Sequence, residues 1–79
     1  MKTDGPIVRG TVKFWKDEKG WGAISSSALP SGRDAWAHFS VVEVAGYRKL
    51  TVGQVVEFRY VEQQQDSFDY VALWVRPAG

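Results

Sequence analysis

Lys19-Gly20-Trp21-Gly22-Ala23-Ile24 and, after a turn, Asp34-Ala35-Trp36-Ala37-His38-Phe39 are the two runs that decide the reading of this chain. Both have the composition of short strands with large rings at alternate positions. Residues two apart in a strand share a face. Trp21, Ala23 and Ser25 therefore point one way, and Gly22 and Ile24 the other. In the second run Trp36 and His38 share a face, with Ala35 and Ala37 behind them. Small and aliphatic residues suit a tight core; two tryptophans and a histidine set among lysines do not. Bases stack on such rings while lysines follow the phosphates. The pattern is that of a platform for single-stranded nucleic acid, with Lys13 and Lys19 placed for phosphates.

The 79 residues allow one domain with a modest core. Residues 1–6 read as a flexible lead-in closed by Gly5 and Pro6, and residues 7–79 as the domain. Four Trp, three Tyr and four Phe are more rings than so small a core can enclose, so several lie at the surface. Cysteine is absent, which excludes disulfides and thiolate metal sites. His38 has no second histidine to join it, so neither a metal nor a cofactor is expected. No apolar run approaches the ~20 residues of a membrane span, and the polar start lacks a secretory signal. A cytoplasmic protein with no membrane partner is expected.

Net charge is only +1, but its distribution is uneven. Through Lys49 there are eight basic against five acidic residues; from Leu50 onward there are two against four. The positive part holds the tryptophan-bearing runs.

Residues 7–16 alternate as a first strand, with Val8, Gly10, Val12 and Phe14 on one side and Arg9, Thr11, Lys13 and Trp15 on the other. Gly10 marks a bulge or bend in it. Residues 17–20 form a turn with Gly20 at positive φ. Residues 21–26 and 34–39 are the second and third strands, joined by a loop through Pro30 and Gly32. Ser40 and Glu43 are spaced as a capping box for a single helical turn, stopped by Gly46. Residues 55–62 make the fourth strand, with Phe58 and Tyr60 in the core, residues 63–67 a polar loop, and residues 68–76 the last strand. Five short strands without a long helix give an all-β domain. Closing them into a small barrel removes exposed edges.

These residues resemble the cold-shock domain family. Gly10-Thr11-Val12-Lys13-Phe14-Trp15 is similar to its opening strand, residues 19–24 to its first ribonucleoprotein-type motif, and Ala35-Trp36-Ala37-His38-Phe39-Ser40 to its second. The resemblance covers roughly residues 10–76 and implies a five-stranded antiparallel OB-fold barrel that binds single-stranded RNA or DNA. It implies stacking on Phe14, Trp21, Trp36, His38 and Phe39, with Tyr47 in the long connection and Trp15 beside them. Lys13 and Lys19 would contact phosphates, and Asp34 a base edge.

The sequence departs from the family pattern at several positions. Ala23 stands where a second phenylalanine is usual, Trp21 and Trp36 replace smaller rings, and Phe14 and Trp15 invert the usual order. Lys16 replaces a common asparagine, adding a charge at the site. Strict alternation puts Phe14 with Val12 in the core, whereas the resemblance needs it outside; a bulge between them would reconcile the two.

For catalysis the sequence offers nothing: no Ser, His and Asp arrangement, no phosphate-cradling glycine loop. The reading is therefore a single-strand binder of the RNA-chaperone kind, not an enzyme. The competing reading is a protein-interaction barrel docking a peptide on its aromatic patch. A monomer is expected, and exposed rings leave room for weak self-association.

Overall fold

The runs that alternate in sequence become five strands: β1 (Val8–Lys16), β2 (Trp21–Ser25), β3 (Asp34–His38), β4 (Val55–Gln65) and β5 (Phe68–Pro77). They come from a computed structural model that describes residues 6–30, 32–44 and 49–78. The hydrogen-bonded order is β1-β2-β3-β5-β4, closed into a barrel. Closure gives every strand a hydrogen-bonded neighbour on both sides over part of its length. Four ladders are antiparallel; the one between β3 and β5 is parallel and short, pairing Ala35 with Tyr70 and Trp36 with Val71.

The inward positions fill the barrel. Val12, Ile24, Val56, Phe58 and Val75 are at most 1% exposed, and each such burial contributes about 1.5–3 kcal/mol. Ala35 and Ala37 line β3, and Leu29, Val42 and Leu50 reach in from the connections. Tyr60 is half-buried against this core and donates from Oη to the Ala28 carbonyl at 3.4 Å. Trp74 packs on the barrel wall, with the Arg59 and Arg76 guanidinium carbons 5.5 and 5.3 Å from its ring centroid.

Three expectations are corrected. Pairing is regular at Gly10, where a bulge or bend was expected; the bulge lies between Val12 and Phe14, where the outward placement of Phe14 called for one, with Lys13 as the extra residue. Gly10 is instead a point of close approach. A Cβ there would stand 2.6 Å from the Ser25 carbonyl oxygen and 2.8 Å from the Phe58 ring.

Second, residues 63–67 are not a loop. β4 continues to Gln65, pairs it with Phe68, and turns through Asp66 and Ser67. Asp66 has φ of 55°, which a short polar side chain tolerates better than most. The glutamines lie on a mostly solvated hairpin, where polarity does not exclude a strand.

Third, the helical turn is a 3-10 turn over Phe39–Val41, and its cap is His38, whose side chain accepts from the Ser40 amide. Glu43 accepts from Trp74 Nε1 rather than closing a capping box. The expected stop at Gly46 and the lead-in at residues 1–5 lie outside the described residues. Among the described residues no helix is long and apolar enough to cross a membrane.

Candidate nucleic-acid interface

The bulge at Lys13 decides which rings meet. An extra residue shifts the alternation of one strand against its partner. Phe14 consequently pairs with Ala23 rather than continuing the inward series of Val12, and Ala23 pairs in turn with Trp36 on β3. Phe14 thus joins the face that carries Trp21 and Trp36. Trp15 is turned the other way: it is half-buried, packs against the core, and lies over Gly22. Its expected place beside the other rings is not where the strand puts it.

On the outer face the rings form a continuous row. Phe14 and Trp21 have centroids 5.7 Å apart at 74°. Trp21 and Trp36 are 6.1 Å apart at 30°, and Trp36 and His38 are 5.8 Å apart at 23°. His38 and Phe39 are 4.5 Å apart. These are ordinary aromatic pair distances. What is unusual is that so many rings gather on the outside of the barrel; Phe39 is 43% exposed.

Local backbone features hold the end of the row. Gly20 has φ of +78°, a conformation suited to glycine, and a Cβ there would stand 2.9 Å from the Phe39 ring. The Phe39 amide donates to the Gly20 carbonyl at 2.8 Å. His38 Nδ1 accepts the Ser40 amide at 3.2 Å and lies 2.8 Å from Ser40 Oγ. With Nδ1 accepting, the neutral ring carries its proton on Nε2, leaving a donor for a base or phosphate. The Trp36 indole N–H is buried and has no hydrogen-bond partner among the described residues. A donor in that state costs about 1–3 kcal/mol, so a shift that brings it an acceptor is favourable.

Cations border the row. Lys16 Nζ lies 5.4 Å from the Phe14 centroid and 5.8 Å from that of Trp21. Lys19 is exposed in the β1–β2 turn. The bulged Lys13 reaches Asp34 at 3.0 Å. Such a surface pair is worth ~0–1 kcal/mol, so a phosphate can compete for Lys13, and Asp34 is not held firmly. Tyr47 lies outside the described residues. Among the described residues no three His, Cys, Asp or Glu gather as a metal site would require.

One ring was missed in the sequence. Phe68, at the start of β5, lies 6.0 Å from Trp21 at 85°. Its position depends on the length of β4 and the tight turn at Asp66, neither of which a polar run of glutamines announces.

Residues 8–68 match the family profile described as the 'Cold-shock' DNA-binding domain. The chain belongs to the cold-shock domain family. It is 41% identical over 59 residues to the major cold shock protein of Streptococcus pyogenes serotype M6, covering 75% of this chain and 84% of that one. The cold shock-like protein CspLB of Listeria monocytogenes is 45% identical over 56 residues, 71% of this chain and 80% of its own. Cold shock protein ScoF of Streptomyces coelicolor is 41% identical over 59 residues, 75% and 85% of the two chains. Cold-shock domains bind nucleic acid and are not enzymes, and the ring row lies within the matched region of this one.

Proposed function

We propose that this cold-shock domain binds single-stranded RNA or DNA by stacking unpaired bases on Phe14, Trp21, Trp36, His38 and Phe39, and that it acts as an RNA chaperone. The observation that carries this reading is the unbroken row of rings on the outer face of β1, β2 and β3. A duplex hides the faces of its bases against one another, whereas a single strand can lay them on these rings. Lys13, Lys16 and Lys19 follow the phosphates, and Asp34 accepts from a base amine once Lys13 has turned to the backbone. Tyr47 adds a further ring from the long connection. Affinity for the unpaired strand alone then shifts an RNA hairpin toward its open form by mass action, with no energy source required.

The test is a titration of oligo-dT and oligo-rU against intrinsic tryptophan fluorescence at two salt concentrations. Quenching is expected, with affinity falling as salt rises because phosphate contacts release counterions. It should be lost in a folded Trp21→Ala, Trp36→Ala double variant. No quenching at micromolar oligonucleotide and low salt would refute the reading.

A further inference from the structure

The alternation of β2 points Ala23 outward, between Phe14 and Trp36 in register. A methyl group offers no stacking surface, and Ala23 is in any case 0% exposed beneath its neighbours. The neighbouring rings close over Ala23, so the row stays continuous, but β2 supplies it one ring, Trp21, and no second. We propose that Phe68 is a base-stacking residue of this surface, supplied by the β4–β5 hairpin in place of the ring that Ala23 lacks. The inference rests on the single-strand reading above.

Phenylalanine in a strand usually belongs to the core, and Phe68 does not. It is neither a member of the buried cluster nor among the partly buried residues packed against that cluster. Among the described residues its ring packs against Trp21, at 6.0 Å and 85°. β5 is separated from β2 by β3 in the barrel order, so the Phe68 ring reaches Trp21 from the side opposite to Phe14 on β1. The hairpin geometry makes this possible. β4 runs out to Gln65, the chain reverses through Asp66 and Ser67, and Phe68 opens β5 directly opposite Gln65. A shorter β4 with a loose loop would not fix the ring there.

The ligand that suits this site is one further unpaired base of the same strand, beyond those on β1, β2 and β3. The edge-to-face arrangement with Trp21 is a favoured ring geometry, and it sets Phe68 as a step beside the row. A base against that step contacts one ring by its face and the other by its edge.

The experiment compares Phe68→Ala, Phe68→Leu and Phe68→Tyr in the oligonucleotide titration, with thermal unfolding as the control for folding. Leucine keeps apolar bulk without a π face, so it guards against failure of the alanine variant to fold. The expected result is an affinity roughly 5- to 150-fold lower for Ala and Leu, and little changed for Tyr, as loss of one stacked base requires. Adding Ala23→Phe to the Phe68→Ala variant should recover part of the loss by returning a ring to β2. If the wild type binds and Phe68→Leu binds equally well, Phe68 only packs on Trp21 and the proposal falls. Tighter binding by Phe68→Leu overturns it too, because the ring would then be shielding Trp21. If the wild type itself does not bind, the single-strand reading is what has failed.

Discussion

Replacing Gly20 by alanine separates backbone strain from the placement of the Phe39 ring. Gly20 has φ of +78°, and an added Cβ would lie 2.9 Å from Phe39 Cδ1. The left-handed conformation costs an L-residue about 1–2 kcal/mol. Gly53 is the matched control: its φ is +88°, with nothing within 4 Å of an added Cβ. Each alanine variant should therefore lose about 1 kcal/mol, or roughly 4–8 °C in the unfolding midpoint of a domain this size. The contact with Phe39 adds little to that loss, because a ring that is 43% exposed can swing toward solvent. Its consequence falls on binding. Under the stacking proposed for Phe39, displacing it should remove up to one stacked base, worth ~1–3 kcal/mol, so affinity is expected to drop roughly 5- to 150-fold, whereas Gly53→Ala should bind as the wild type does. Thermal unfolding and the fluorescence titration measure the two quantities on the same samples. Equal oligonucleotide affinity in both variants would refute the role given to Gly20. A midpoint far lower for Gly20→Ala than for Gly53→Ala would refute the argument that the ring yields.

Two further substitutions probe the core and the charge border. Phe58→Ala removes a ring that is 0% exposed and should cost about 3–5 kcal/mol, a large share of the ~5–15 kcal/mol typical of a folded domain; a urea-unfolding loss below about 1 kcal/mol would mean the barrel closes over the gap. Lys16→Gln should lower the slope of log affinity against log salt by ~0.7, the share of one single-strand phosphate contact. An unchanged slope would remove Lys16 from the phosphate path.

The fold was legible wherever local pattern and burial agree. Val12, Ile24, Val56 and Phe58 alternate in sequence and are buried in the barrel, and small Ala35 and Ala37 lie behind the rings of β3 as their size requires. The conflict over Phe14 was itself informative. Alternation put it inside and the family resemblance outside, and the bulge at Lys13 resolves the two. The second irregularity expected at Gly10 is absent from the ladder, because glycine serves close packing as well as irregular backbone. Its neighbours Ser25 and Phe58 are distant in sequence and invisible until the barrel closes. Trp15 was misplaced, and Phe68 went unnoticed as a member of the ring face, for related reasons. The side that Trp15 faces depends on a bulge two residues upstream, and the place of Phe68 depends on a turn geometry that Asp66 permits but does not advertise. Ser40 and Glu43 have the right spacing for a capping box, yet the His38 imidazole and the Trp74 indole claim those roles.

The parallel ladder between β3 and β5 is where the barrel is joined, with two register pairs continued by the bridge between Val42 and Val75. Slow hydrogen exchange should fail there before it fails along the long hairpin of β4 and β5, since a short ladder has few bonds to lose at once. Trp36 stands on one side of this seam and Phe68 on the other. A strand of nucleic acid stacked on both rings would bridge the join, and the barrel could not part there without first releasing it. Ligand occupancy and amide protection at the seam would then rise together, by RT ln(1 + [L]/Kd). The exchange rates of these few amides would report how tightly the strand is gripped.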